Sequence, residues 1–150
     1  MAFCCKPAYA DICVRRLNGR IHLLLGNHDP ALRGIPSDTY ASVQEGIKEI
    51  TVEGQKIVLC HYALREWQGA MGGAWHLFGH THGGLRPFGK SVDVGVDNVY
   101  EVLYGEPYVS DAQRYPDNSA ILYHPVSFAD VKAFMDAREI GPHTVFAGAH

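Results

Sequence analysis

The sequence lacks the features that mark membrane, secreted and nucleic-acid-binding proteins. None of its apolar stretches approaches the roughly 20 residues that a helix needs to span a bilayer. Lys6, Pro7 and Asp11 interrupt the N-terminal segment, which therefore has no apolar signal-peptide core. The net charge is −3 with neutral histidines, and no basic run provides an electrostatic footprint for polynucleotides or anionic lipids. We therefore predict a cytoplasmic protein with no membrane partner and no strong nucleic-acid signature.

The spacing of the four cysteines argues against two common uses. The four cysteines are Cys4, Cys5, Cys13 and Cys60. Adjacent Cys4 and Cys5 fit neither a disulfide framework nor the ligand spacing of a zinc knuckle. We interpret all four as reduced thiols, with Cys60 as a small apolar residue of the core.

Internal repeats and low-complexity segments are absent as well, and the composition that remains is that of a globular domain. Hydrophobic residues make up 47% and charged residues 19% of the 150 residues, which predicts a single domain over residues 1–150. Nine histidines are many for this length. Because imidazole is the commonest metal ligand in proteins, this number directs attention to metal chemistry.

The alternation of helical and strand patterns predicts an α/β (α+β) fold. The expected elements are a helix in residues 6–20, strands in 20–26, 74–79 and 91–97, a hairpin in 47–61, a short helix in 62–71 and a last helix in 126–139. The first strand has a buried-type apolar pattern, and Gly54-Gln55 is the expected hairpin turn. Ser127 and Asp130 form a capping-box pattern at the start of the last helix. The polar segment 101–120 is interpreted as a long loop with a small strand around Leu103 or Val109.

Three of the apolar strands run directly into polar clusters. The clusters are GNHD in residues 26–29, HY in residues 61–62 and GHTH in residues 79–82. In layered α/β proteins, ligands bind at the carboxyl ends of strands, where neighbouring loops converge. We therefore expect the following side chains to meet at one end of a sheet: Asn27, His28, His61, His80 and His82.

The backbone of the GHTHGG loop, residues 79–84, determines where its two histidines point. If its chain stays extended, His80 and His82 point to one side and Thr81 to the other. Imidazole suits zinc, manganese, iron and nickel, and the amide oxygen of Asn27 is a hard neutral ligand. The loop therefore predicts a site for a divalent transition metal.

Simpler interpretations apply to each of these residues taken singly. Most histidines lie on the surface or are hydrogen-bonded in a core, and we assign that role to His22, His76, His124, His143 and His150. GNHD is also compatible with an ordinary turn, since Asn, Asp and the following Pro favour turns. The coincidence of imidazole at three strand ends favours the metal interpretation.

These motifs, in this order, resemble the calcineurin-like metallophosphoesterases. GNHD, the later histidine after KIVLC, GHTH and the following SVDVGVD are similar to the bacterial and phage branch of that family. The resemblance covers residue 1 to about residue 100, and more loosely HPVSFADV in residues 124–131. It implies layered mixed β-sheets flanked by helices, two metal ions, and hydrolysis of phosphoesters.

The resemblance also implies a role for particular residues. Asn27, His61 and His80 would bind one metal ion, and His82 would bind the other. His28 would stand near the leaving group of the substrate, oriented by Asp29. In this chemistry two ions about 3.5–4 Å apart lower the pKa of a bridging water and clamp the phosphoryl oxygens for in-line attack.

The sequence departs from the family pattern at two motifs. It contains neither the D-x-H motif nor the G-D motif, which supply an Asp, a His and a bridging Asp to the metals. We therefore expect the chain to represent the C-terminal portion of the family fold, with one ion bound more tightly than any second. An inactive metal-binding or interaction module, and a truncated fragment that self-associates through uncovered strands, are the alternatives.

The substrate is left open by the sequence. A small phosphoester or nucleotide is the expected partner. Arg65 lies just past His61 and is a candidate phosphate ligand, because the guanidinium matches phosphate geometry. An exposed helix arginine is the alternative for this residue.

Overall fold

A computed structural model describes residues 12, 14–29, 39–105 and 125–141. The chain divides into two compact units, Met1–Lys48 and Glu49–His150. The described residues contain two β-sheets and two α-helices, which confirms the predicted mixture of α and β structure. That one phosphoesterase domain covers residues 1–150 stays a prediction.

In the first unit, two short strands form a parallel pair. Strand β1 (His22–Leu24) lies beside β2 (Ser42–Gln44), with His22 opposite Ser42. The predicted strand is confirmed, but its predicted buried character is wrong. His22 is exposed and the two leucines are only partly buried, because the pair has just two strands of three residues each. Upstream, Ile12, Val14 and Arg15 have helical backbone, and residues 6–11 of the predicted helix lie outside the described residues.

The second sheet has four strands in the order β3-β4-β5-β6. The strands are β3 (Ile47–Val52), β4 (Gln55–Cys60), β5 (Trp75–Phe78) and β6 (Ser91–Asp93). Strands β4, β5 and β6 run parallel to one another. The predicted hairpin joins β3 to β4, but its turn falls on Glu53 and Gly54, one residue earlier than expected. Both have positive φ, at 49° and 81°, as in a type I′ turn, whose twist matches that of the strands.

Side chains of this sheet contribute to two separate apolar clusters. The larger cluster contains Ile57, Trp75, Val92, Val102, Val131 and Met135, and the smaller contains Val58, Trp67, Ala70 and Ala74. Neighbouring residues of a strand point to opposite faces, so Ile57 and Val58 join different clusters. Burial on both faces explains the continuous apolar run of β4. Cys60 is a buried free thiol at its end, as predicted.

The helices show where local sequence signals succeed and fail. Helix α2 (Phe128–Asp136) begins with the predicted capping box: Ser127 Oγ accepts from Asp130 N at 3.1 Å, and Asp130 Oδ2 accepts from Ser127 N at 3.0 Å. Helix α1 (Val99–Tyr104) occupies the start of the segment interpreted as a loop, so that prediction is wrong there. Val99 and Val102 are both buried, and their spacing of three residues places them on one helical face. Val109 lies outside the described residues.

The predicted short helix in residues 62–71 is also wrong. Only a 3₁₀ turn, Ala70–Gly72, is present, and Gly73 ends it with a left-handed φ of 83°. Hydrogen bonds from Trp67 Nε1 to the Ala74 carbonyl and from the Leu64 amide to His76 Nε2 hold this segment in a non-helical path. Among the described residues, no helix combines the length and apolar character needed to cross a membrane.

Candidate functional site

The carboxyl ends of the parallel strands form the candidate site. His61 follows β4, Gly79 and His80 follow β5, and Asp93 ends β6. The Gly79 amide donates to the His61 carbonyl at 3.2 Å, so the first two strand ends are joined directly beyond the sheet. Because parallel strands end at a common edge, His61 and His80 come together as the sequence predicted.

Three aromatic rings are in mutual contact at this edge. The ring centroids of His61 and His80 lie 5.0 Å apart, and Tyr62 lies 4.9 Å from His61 and 4.7 Å from His80. All three pairs meet edge to face. Tyr62 is 48% exposed, so the group is open to solvent on that side.

The separation of the two imidazoles fits a shared metal ion. Two imidazoles that bind one tetrahedral ion at about 2.0–2.1 Å have ring centroids roughly 5 Å apart. The observed 5.0 Å between His61 and His80 agrees with this value. Edge-to-face packing of aromatic rings also gives separations of about 4.5–7 Å, so ring packing alone is the competing explanation.

His82 occupies a different environment from His80. Its Nδ1 lies 2.5 Å from Asp97 Oδ2, and its side chain is 63% exposed. The expectation of an extended GHTHGG segment is wrong, since His80 and His82 have φ of 66° and 50°. An imidazole whose Nδ1 donates to a carboxylate presents Nε2 as its free ligand atom, the arrangement of many metal-binding histidines.

Two tight turns account for these left-handed residues. The Thr81 amide donates to the Gly79 carbonyl at 2.7 Å across His80, which forms a γ-turn with positive central φ. The Gly84 amide then donates to the Thr81 carbonyl at 2.8 Å, and the two central residues, His82 and Gly83, both have positive φ. A non-glycine residue in such a conformation costs about 1–3 kcal/mol and persists only where surrounding contacts require it.

Asp93 supplies those contacts and was missed as a site residue by the sequence reasoning. It is fully buried; its Oδ2 accepts from the Thr81 hydroxyl at 2.6 Å and from the Gly83 amide at 3.1 Å. Its Oδ1 accepts from the Gly95 amide at 2.8 Å. One sequence signal could have identified Asp93, namely a carboxylate at the end of an apolar strand. A carboxylate in that position is buried only when it is hydrogen-bonded.

In the first unit, the GNHD segment forms a turn that closes on itself. The carboxylate of Asp29 accepts from the Gly26 amide at 2.9 Å, and the Asp29 amide donates to the Gly26 carbonyl at 3.3 Å. Asn27 and His28 are exposed at the tip, and Asp29 is buried. The approach of Asn27 and His28 to His61 and the orientation of His28 by Asp29 stay predictions.

The remaining histidines agree with their simpler interpretation where they are described. His76 in β5 is fully buried, its Nδ1 lies 3.0 Å from the Val58 carbonyl, and its Nε2 accepts from the Leu64 amide at 2.9 Å. Burial lowers the pKa of His76 below 6.5, and nearby backbone carbonyls oppose this shift. His22 is exposed and lies 2.8 Å from the Ser42 hydroxyl. His124, His143 and His150 lie outside the described residues.

The described side chains do not complete a metal-binding group, and His61 and His80 form only a pair. Within residues 12, 14–29, 39–105 and 125–141, no three His, Cys, Asp or Glu side chains are grouped so as to hold a metal ion. Arg65, the candidate phosphate ligand, is exposed in the segment after His61. Comparisons with protein-family models, curated proteins and solved structures find no match to this chain.

Proposed function

We propose that the chain is a metal-dependent phosphoester hydrolase with a calcineurin-like fold. The observation that carries this proposal is the pairing of His61 and His80 at the ends of adjacent parallel strands, with ring centroids 5.0 Å apart. Position and centroid separation are both compatible with two imidazoles that bind one ion. The motif resemblance supplies the reaction class.

The arrangement supports His61 and His80 as ligands of one ion of Mn, Fe, Zn or Ni. The motif resemblance alone adds Asn27 to this ion and assigns His82 to a second. When bound, the ions supply an acidified water and positive charge opposite the phosphoryl oxygens. Asp97 fixes the ring of His82 through its 2.5 Å contact with Nδ1.

Other residues of the chain act on the substrate in this proposal. His28 is exposed and free to donate a proton to the departing alkoxide, and Asp29 holds the turn that carries it. The exposed guanidinium of Arg65 binds a phosphate oxygen of a small phosphoester or nucleotide. The protein acts in the cytoplasm in this proposal.

A metal-binding module without hydrolytic activity is the second candidate. Its support is the absence from the sequence of the G-D motif, which provides the bridging carboxylate in the family that the chain resembles. Such a module would still use the His61 and His80 pair.

A titration and an assay on the same samples distinguish the two candidates. Co²⁺ binding is measured by calorimetry and by the visible spectrum, and hydrolysis is measured with p-nitrophenyl phosphate and bis-p-nitrophenyl phosphate. We expect His61→Ala to abolish binding and turnover, while the control His22→Gln, at an exposed histidine of β1, leaves both unchanged. Binding without turnover supports the metal-binding module. Absence of both in the wild-type chain contradicts both candidates and favours ring packing as the reason for the histidine pair.

A further inference from the structure

We propose that Asp93 is a positioning residue that holds His80 and His82 in their left-handed conformations by binding the hydroxyl of Thr81 between them. The proposal treats His80 and His82 as metal ligands, and in that respect it rests on the proposed function. The part that concerns the conformation of the loop does not depend on any metal.

The register of the sheet brings the carboxylate to the loop. Asp93 pairs with Phe78, the last residue of β5, directly before the GHTHGG loop begins. The Val94 amide donates to the Phe78 carbonyl at 2.8 Å and fixes this alignment. The carboxylate is therefore delivered by a neighbouring strand.

The hydrogen bonds of Asp93 act on both sides of the loop. Thr81 lies between the γ-turn at His80 and the turn at His82 and Gly83, so fixing its side chain restrains both turns. The 2.6 Å bond from the Thr81 hydroxyl and the 3.1 Å bond from the Gly83 amide end on the same oxygen. Both bonds end on a carboxylate that is itself fully buried, so neither donor has a water molecule as an easy substitute for that oxygen.

The other carboxylate oxygen is held equally closely. The Gly95 amide donates to Asp93 Oδ1, and a Cβ atom at Gly95 would lie 2.9 Å from that oxygen. This close approach favours glycine at position 95. Two glycine amides and one hydroxyl thus fix the orientation of the carboxylate, and through it the backbone conformation at His80 and His82.

The distinguishing variants are Thr81→Val, which removes the hydroxyl with little change in shape, and Thr81→Ser, which keeps it. In the metal-free protein, we expect Thr81→Val to raise amide hydrogen exchange in residues 79–84 by about tenfold, the loss expected for one hydrogen bond. It should also weaken the NMR cross-peak between the rings of His61 and His80. Exchange in the cores of β4 and β5 should rise by no more than exchange in the loop, through the lower overall stability, and Thr81→Ser behaves like the wild type throughout.

A Co²⁺ titration of the same variants connects the loop to the proposed metal site. We expect Thr81→Val to weaken Co²⁺ binding by about tenfold or more and Thr81→Ser to leave it unchanged. Asp93→Asn is the second variant and should resemble Thr81→Val with a larger loss.

Three outcomes decide the matter. Unchanged loop exchange and an unchanged ring cross-peak in Thr81→Val overturn the proposal. A uniform loss of protection across the whole sheet together with an unchanged ring cross-peak also overturns it, because Asp93 would then act only in overall stability. If the loop loosens as expected but the wild-type chain binds no Co²⁺, the positioning by Asp93 stands and the proposed function fails.

Discussion

The GHTHGG loop and the GNHD turn differ in how they hold their histidines. Each follows a short strand, includes glycine and carries imidazole. The turn at 26–29 closes through its own residues, because Asp29 binds the amide and carbonyl of Gly26. The loop at 79–84 has two left-handed histidines and depends on Asp93 of a neighbouring strand.

The turn at 26–29 is therefore a local motif, whereas the loop at 79–84 needs the folded sheet. A turn closed by Asp three residues after Gly needs only contacts among its own residues, and it leaves His28 exposed at its tip. A loop with His80 and His82 at positive φ is unfavourable by itself and forms only when β6 presents Asp93. We therefore expect changes in the turn to affect chemistry and changes around the loop to affect both structure and metal binding.

The largest expected effect is on the catalysis proposed for His28 in the exposed turn. In a preparation that shows phosphodiesterase activity, His28→Ala should lower the rate by about 10²–10⁴-fold on substrates with poor leaving groups, because general-acid assistance is lost. Bis-p-nitrophenyl phosphate, whose leaving group needs no proton, should lose much less. Rates on an alkyl and an aryl diester, measured side by side, provide the test. Equal losses on both would show that His28 is not the acid.

The free energy of unfolding should depend more on the contacts of the loop at 79–84 than on those of the turn at 26–29. Asp93→Ala leaves the Thr81 hydroxyl and two glycine amides without their acceptor, and we expect a loss of about 3–5 kcal/mol in the free energy of unfolding. Asp29→Ala removes one bond within a turn and should cost about 1 kcal/mol. Urea denaturation of both variants measures the difference. Equal losses would remove the distinction between a local and a sheet-dependent motif.

The sequence predicted those parts of the site that depend on strand ends. His61 and His80 come together because apolar runs identify β4 and β5, and parallel strands end at a common edge. The left-handed loop was not predictable locally, since its stability comes from Asp93, which neighbours it only through sheet register. The hairpin turn between β3 and β4 lies one residue earlier than predicted, because Glu53 adopts a positive φ that its residue type does not favour.

The fold was misjudged where tertiary packing outweighs local preference. The run VYEVLY in α1 is rich in β-branched and aromatic residues, which favour strands. Val99 and Val102 are instead buried on one helical face. The buried Glu101 forms an ion pair with Arg86, with 3.0 Å between Oε1 and Nη1. By contrast, the capping box of α2 needs only residues within one turn, and it was correctly predicted.

A smaller effect is expected at the contact between His82 and Asp97. Asp97→Asn keeps the shape of the side chain but weakens its hold on Nδ1. If His82 binds an ion as proposed, the affinity for that ion should fall by about 10–100-fold. The control Asp136→Asn removes an equal charge from an exposed ion pair with Lys132 and should have no effect. Calorimetric titration with Co²⁺ measures both variants. A similar loss in both would mean that net charge, and not the contact with His82, sets the affinity.

The smallest expected effect is a pH dependence of the free energy of unfolding that originates at His76 in β5. Burial lowers the pKa of His76 below 6.5, so the unfolded chain binds a proton more readily than the folded one. Stability is therefore complete above pH 6.5 and declines as the pH falls below it, by at most about 1.4 kcal/mol per pH unit, until the folded pKa is passed. His76→Gln retains a donor and an acceptor without the titration and should flatten this decline, whereas His22→Gln, at an exposed histidine of β1, should not. Urea denaturation at pH 7.5, 6.5 and 5.5 tests this, and parallel declines in His76→Gln and the wild-type chain would assign the acid sensitivity to other groups.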